Sequence, residues 1–153
     1  MALAKMSELL AGQRAVGSFS VANLEMLQGA VAAAEETGVP VILQIAEGRL
    51  GTAPLHMIGP AMLAAARASS LPLAVHLDHG RTLECIEQAL DLGFTSVMYD
   101  GSHLPLEENI RMTRRVRDMA RARGADLEAE IGSVGRTEEG HAAPAVCADP
   151  EDC

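Results

Sequence analysis

Short apolar runs alternate regularly with longer helical segments along the chain, and this pattern limits the folds it can adopt. Short continuous apolar runs are typical of strands buried on both faces of a parallel sheet. The predicted strands are 16–20, 39–45, 73–77, 95–99 and 126–131. The predicted helices between them are 23–36, 54–69, 82–92 and 106–123. Because strands that alternate with helices form right-handed βαβ units, the sequence predicts an α/β protein with a parallel sheet.

Composition and charge exclude several classes of protein. The 153 residues contain 12 Lys and Arg against 21 Asp and Glu, which gives a net charge of −9. This acidic balance argues against general nucleic-acid binding, which usually needs a basic surface. No apolar run approaches the roughly 18 residues of a membrane span, and Glu8 and Gln13 interrupt any signal-like segment. The 3 cysteines lack paired spacing, so we expect a protein of the reducing cytoplasm. From the charge and the lack of an apolar span, we expect neither nucleic-acid nor membrane partners.

The stretch with the most candidate catalytic or metal-binding residues is His76-Leu77-Asp78-His79. Strand alternation places His76 and Asp78 on one face and His79 just past the carboxyl end of the predicted strand. Parallel α/β proteins bind their ligands at that end. A carboxylate beside imidazoles can act as a general acid or base, bind a metal, or orient a metal-binding histidine. A structural hydrogen-bond cluster is the alternative, but the position at a strand end favours function.

Further acidic residues lie where the next two predicted strands end. Asp100 follows one strand, and Glu128 and Glu130 share one face of the other. Carboxylates on a buried strand are costly unless a cation offsets them, although an edge strand would leave these glutamates in water. The convergence of these groups on one rim predicts a metal-assisted reaction on a small polar substrate. Imidazole favours zinc or a similar transition metal.

The last part of the chain differs from the rest. Residues 132–153 are rich in Gly, Pro and small residues without periodicity, which predicts a mobile loop or tail. Glycines flank Glu138, and a glycine-hinged loop with an acidic tip can close over a site. Simple solvent exposure is the alternative interpretation of this acidic tip.

Four stretches of the chain resemble signatures of one enzyme family. They are 73–80 (LAVHLDHG), 96–110 (SVMYDGSHLPLEENI), 127–138 (LEAEIGSVGRTE) and 15–25 (AVGSFSVANLE). Together they resemble the class II, metal-dependent ketose-bisphosphate aldolases, which include fructose- and tagatose-bisphosphate aldolases. The resemblance runs through nearly the whole chain. It implies a (β/α)8 TIM barrel, of which these residues would form about the first five βα units as a partial barrel.

The resemblance also implies an activity. Members of the family are lyases of carbohydrate metabolism, including glycolysis, that cleave a ketose 1,6-bisphosphate reversibly to dihydroxyacetone phosphate and an aldehyde. The implied partners are therefore a sugar bisphosphate and dihydroxyacetone phosphate, the implied cofactor is Zn2+, and the full-length family suggests a homo-oligomer. In such chemistry zinc polarises the ketone and spreads the enediolate charge, while carboxylates move protons.

Individual residues acquire roles through the same resemblance. His79 matches a ligand of the catalytic zinc, and Asp78 matches the acid that exchanges a proton with the C4 hydroxyl. Asp100 and Glu130 match a second divalent or monovalent cation position found in some members. Glu138 matches a mobile-loop glutamate that moves the proton at the carbanion carbon. The resemblance assigns no substrate-binding residue.

The chain departs from the family pattern at three positions. Ser20 stands where members usually have Asn, Ala46 where they have Ser or Thr, and Arg136 where they have a small residue. The hydroxyl missing at Ala46 lies near the substrate in the family, so we expect altered phosphate or hydroxyl recognition. Arg136 is expected to alter closure of the loop that carries Glu138.

Length is the largest departure. The segment Asp149-Pro150-Glu151-Asp152 resembles a family segment just past mid-chain, and the family takes two more zinc-binding histidines and a glycine-rich phosphate cradle from later strands. His103 and His141 do not stand at the matching positions. We therefore expect residues 1–153 to form the N-terminal portion of one aldolase barrel. This portion would carry one zinc ligand of three and have no appreciable activity alone.

Two other functions are compatible with the sequence. A non-catalytic barrel fragment could act as a subunit or assembly partner, and it would expose apolar surface on its first and fifth strands. An unrelated metal hydrolase on a five-stranded doubly wound sheet would need a complete metal shell within these residues. The family signatures favour the aldolase.

Overall fold

The computed structural model describes residues 3–11 and 15–132, which form a five-stranded sheet with helices between the strands. The strands are β1 Ser18–Ser20, β2 Ile42–Ala46, β3 Ala74–Gly80, β4 Ser96–Tyr99 and β5 Asp126–Ala129. The helices are α1 Met6–Leu10, α2 Leu24–Thr37, α3 Leu55–Ala68, α4 Leu83–Leu92 and α5 Leu106–Ala122, with a short 3-10 helix at Glu47–Arg49.

The strand order identifies the architecture. Each strand pairs in parallel with its neighbours in sequence, in the order β1-β2-β3-β4-β5. A doubly wound sheet would instead reverse its strand order at a switch point. Consecutive order with a helix between each strand and the next is that of a (β/α)8 barrel, so the prediction of a partial TIM barrel is confirmed.

Local sequence signals explain where the main helices begin and end. The side chains of Asn23 and Thr82 accept hydrogen bonds from backbone N–H groups three residues later, at 2.8 and 3.2 Å. Gly38 and Gly93 end α2 and α4 with φ values of +69° and +99°, which glycine adopts without steric cost. No described helix combines the length and the apolarity needed to cross a bilayer.

The core lies between the sheet and the helices on its outer face. It contains alternate residues of the central strands, namely Leu43, Ile45, Val75, Leu77 and Val97. Met62, Ile86 and Val116 from three helices pack against them. Because side chains alternate along a strand, the residues between these core positions face the other side of the sheet, where the chemistry-bearing groups lie.

Helix α1, which the sequence did not predict, covers the amino end of that inner face. Ala4 and Leu9 pack against Ile42 and Ala74, and the Ala4 N–H donates to the Leu73 carbonyl at 3.0 Å. At five residues it is too short to show a helical period in the sequence, and its packing on the sheet stabilises it. It closes the end of the sheet opposite to the candidate site.

The outer strands leave edges open within the described residues. β1 is exposed along its whole length, with Phe19 49% exposed, and β5 pairs only with β4 among the described strands. An unpaired edge presents free backbone donors and acceptors to a further strand. Exposure at both edges is what a five-stranded part of a barrel should show.

Two predicted strand ends need correction. The strand predicted at 73–77 runs on to Gly80 as β3, through an irregular register with β4 between Leu77 and Gly80. The strand predicted to end at Ile131 stops at Ala129, so Glu130 follows β5. The predicted mobile segment lies, from residue 133 onward, outside the described residues.

Candidate active site

The irregular end of β3 places His79. In a regular strand the successive residues Asp78 and His79 would point to opposite faces of the sheet. His79 instead has a φ of +44°, an uncommon conformation for a residue with a side chain, and the register with β4 shifts here. The bulge brings the His79 Nδ1 atom to 3.2 Å from Asp100 Oδ2 and 3.4 Å from Glu130 Oε2. His79 therefore lies within the strand, not beyond its end as predicted.

Three side chains at neighbouring strand ends form a candidate metal-binding group, called the metal-binding group below. Ligand atoms of His79, Asp100 and Glu130 all lie within 4.8 Å of one another. One imidazole and two carboxylates are suitable ligands for zinc and similar divalent ions. A bound cation would also offset the repulsion between the two carboxylates. The structure therefore brings His79 together with Asp100 and Glu130, although the family resemblance assigned His79 to one cation position and the two carboxylates to another.

Asp100 is the most buried member of this group, at 2% exposed. The backbone N–H and the hydroxyl of Ser102 donate to Asp100 Oδ1 at 3.2 and 2.5 Å, which leaves Oδ2 facing His79. Burial by itself would raise the pKa of Asp100, but hydrogen bonds from Ser102 and His79 outweigh it and hold that pKa below its usual range. Asp100 is therefore negatively charged at neutral pH. Ser102 was not singled out from the sequence, although Asp-x-Ser is a common turn pattern.

Asp78 lies beside the metal-binding group and is oriented by a hydrogen-bonded chain across three strands. Its side chain is 18% exposed, and its Oδ1 atom lies 3.9 Å from His79 Nε2. The Gln44 side chain donates to Asp78 Oδ2 at 3.0 Å and reaches the Ser20 hydroxyl at 3.3 Å, while the Ser18 hydroxyl donates to Gln44. Gln44 was missed from the sequence because its role depends on the pairing of Gln44 with His76 and of Ala46 with Asp78 across neighbouring strands.

His76 is part of the inner face but not of the metal-binding group. It is 1% exposed, its Nδ1 atom bonds the Ser96 hydroxyl at 2.9 Å, and its Nε2 atom lies 3.6 Å from Glu128 Oε2. Burial lowers the pKa of His76 to about 4, so the imidazole is neutral at pH 7. Burial and the nearby Asp78 raise the pKa of Glu128. Glu128 and Glu130, predicted to share one face, contact different histidines of β3, His76 and His79.

His76 should make folding stability depend on pH. The unfolded chain protonates this imidazole near pH 6.5, whereas the folded chain resists protonation down to about pH 4. The free energy of unfolding that the neutral imidazole contributes is therefore fully present above pH 6.5. It falls by about 3 kcal/mol as the pH drops from 6.5 to about 4. We expect His76→Gln to lose this part of the pH dependence in urea unfolding followed by circular dichroism. His56→Gln, at an exposed position, should retain it, and equal pH slopes for His76→Gln and the parent would contradict the assignment.

The loop after β3 is anchored by Glu47, another residue that the sequence did not single out. Its Oε2 atom accepts hydrogen bonds from the Arg81 and Thr82 N–H groups at 2.5 and 3.1 Å, and its Oε1 atom accepts one from the Thr82 hydroxyl at 2.7 Å. These bonds tie the end of β2 to the start of α4. Glu138, assigned a proton-transfer role by resemblance, lies outside the described residues.

Comparisons with known proteins agree with this geometry. The family model described as fructose-bisphosphate aldolase class-II matches residues 4–153. A fructose-bisphosphate aldolase of Geobacillus stearothermophilus is 43% identical over 152 residues, covering 97% of this chain and 53% of that protein. A 6-phospho-5-dehydro-2-deoxy-D-gluconate aldolase of Halalkalibacterium halodurans is 42% identical over 165 residues, covering 100% and 56%.

A solved structure shows the same similarity in three dimensions. The YdjI aldolase from Escherichia coli K12 superposes with a TM-score of 0.77 and 36% identity, covering 82% of this chain and 48% of that one. The chain spans about half the length of the curated relatives it matches.

Proposed function

The chain belongs to the class II fructose-bisphosphate aldolase family, and from this we propose that it supplies the acid–base residue and part of the metal site of a carbon–carbon lyase. The observation that carries the proposal is the meeting of His79, Asp100 and Glu130 beside Asp78 at adjacent strand ends. Neither alternative weighed from the sequence, a non-catalytic assembly partner or an unrelated metal hydrolase, is favoured by the comparisons.

The proposed cofactor is zinc, held by His79 together with Asp100 and Glu130. When bound, the metal supplies Lewis-acid chemistry that stabilises negative charge on the substrate's carbonyl oxygen. The low pKa of Asp100 supports this role, since a metal ligand must be deprotonated at working pH. The bulge at His79 supports it as well, because a strained backbone in the strand serves to aim the imidazole at the two carboxylates.

Asp78 is the proposed proton carrier at the C4 hydroxyl of the substrate. It is partly exposed, so a substrate can reach it, and the hydrogen bond from Gln44 fixes the orientation of the carboxylate. Removing the C4 hydroxyl proton drives cleavage of the neighbouring carbon–carbon bond, and returning it serves the reverse reaction. Glu138 is the proposed carrier at the carbanion carbon.

The proposed substrate is a ketose 1,6-bisphosphate, cleaved to dihydroxyacetone phosphate and an aldehyde. The two relatives are named for different sugars, so the choice of ketose phosphate rests with residues around the site. Ala46 is one such residue, because it pairs with Asp78 at the end of β2. A cytoplasmic location, a homo-oligomeric assembly and a glycolytic role stay predictions of the same proposal. We also propose that turnover needs barrel strands beyond residues 1–153.

Zinc binding by the chain tests the metal site. The dissociation constant is measured by competition with a chromophoric chelator at neutral pH. Because His79 supplies the imidazole of the group, we expect His79→Ala to weaken zinc binding by about 100-fold. His56→Ala removes an exposed imidazole on α3 and should leave the affinity unchanged. Equal affinities for His79→Ala and the parent would refute the assignment.

A further inference from the structure

A positively charged side chain lies against the proposed metal-binding group. Arg81 directly follows β3, and its Nε atom lies 3.7 Å from Asp100 Oδ2. That Nε atom is buried and has no hydrogen-bond partner among the residues that the structure describes. The side chain as a whole is 36% exposed, so the guanidinium spans from the site toward solvent.

The backbone around Arg81 is held firmly. Glu47 accepts a hydrogen bond from the Arg81 N–H at 2.5 Å. The preceding Gly80 is tightly packed, since a Cβ atom there would lie 2.7 Å from the Met98 carbonyl oxygen. The root of the Arg81 side chain is therefore fixed at the rim, and only its outer part can move away from Asp100.

Arg81 and a metal ion would compete for one oxygen atom. Ser102 occupies Asp100 Oδ1, so Oδ2 is the atom that faces both His79 and Arg81. A guanidinium is charged at every physiological pH. A divalent cation bound through Oδ2 would therefore lie close to this positive charge, and the two would repel each other.

We propose that Arg81 is a built-in counter-cation of this site, pairing with Asp100 when no metal is bound and lowering the affinity for a divalent cation. The inference rests on the proposed metal site. The carboxylate that faces the guanidinium, Asp100, belongs to the proposed metal-binding group, which favours competition with a cation over recognition of a substrate phosphate. Arg81 acts through Asp100, so it is a positioning residue that sets how readily the metal enters and leaves.

Zinc affinities of matched variants test this inference. Arg81→Gln removes the charge but keeps a polar side chain, and we expect it to bind zinc about tenfold or more tightly than the parent in the chelator competition. Arg81→Lys keeps the charge and should stay near the parent affinity. Arg123→Gln removes a positive charge at the other end of the sheet, where Arg123 bridges Asp91 at 2.7 Å, and should change nothing.

The outcomes separate this inference from the metal site itself. Arg81→Gln binding zinc as weakly as the parent, with His79→Ala still defective, would overturn the role of Arg81 alone. Absence of zinc binding in the parent and in Arg81→Gln would overturn both proposals. Circular dichroism checks the folding of each variant, and Arg81→Ser, which should also bind more tightly, repeats the test if the glutamine variant does not fold.

Discussion

Replacing Asp78 by asparagine in a completed barrel is expected to lower kcat for sugar-bisphosphate cleavage by about a thousandfold. The completed barrel joins residues 1–153 to the part of the Geobacillus stearothermophilus relative that lies beyond the matched region. Asparagine keeps the size of the side chain and can still accept the hydrogen bond from Gln44, but it cannot take up a proton. The loss should therefore fall on the proton-transfer step and leave substrate binding largely intact.

A coupled assay for dihydroxyacetone phosphate gives kcat and KM for this comparison, and zinc content is measured on the same samples. The matched control is Asp118→Asn, which changes an exposed carboxylate of α5 that pairs with Arg117. Unchanged zinc with lost turnover would assign the effect to proton transfer. A kcat within tenfold of the parent would refute the assigned role of Asp78.

The polypeptide of residues 1–153 alone is expected to cleave fructose 1,6-bisphosphate at less than about one thousandth of the rate of the completed barrel. By resemblance, later strands of the family supply two further zinc-binding histidines and the glycine-rich phosphate cradle. Within the described residues, the metal-binding group contains His79 as its only histidine. Among the described strands, β1 also has an open edge, which leaves the inner face of the sheet incompletely enclosed by these residues.

The two proteins are compared at equal concentration with saturating substrate and added zinc, after circular dichroism has shown helical structure in both. Adding the part of the Geobacillus stearothermophilus relative beyond the matched region to residues 1–153, as a separate polypeptide, should restore some turnover if the two polypeptides associate. Turnover by residues 1–153 alone near the rate of the completed barrel would contradict this expectation.

The fold could be predicted from the sequence because its signals are local and periodic. Continuous apolar runs such as 39–45 mark buried strands, and the caps Thr82 and Gly93 mark where a helix begins and ends. Alternation along strands also predicted that Asp100 and Glu130 would share one rim. These features depend only on residue type and spacing.

Other parts of the site could not be predicted because they depend on contacts between distant segments. The bulge at His79 arises from a register shift between two strands, and no residue type in the sequence marks it. Glu47 contacts Arg81 and Thr82 across 34 or more positions in the chain. The approach of Arg81 to Asp100 likewise exists only once β3 and β4 are paired.

The metal dependence of catalysis is measured as release of dihydroxyacetone phosphate by the completed barrel, before and after removal of zinc with a chelator. We expect turnover to fall to background when the metal is removed and to return when zinc is added back. We also expect that His79→Ala, in the same barrel, is not rescued by zinc at the concentration that restores the parent. Turnover that persists after complete metal removal would contradict the account.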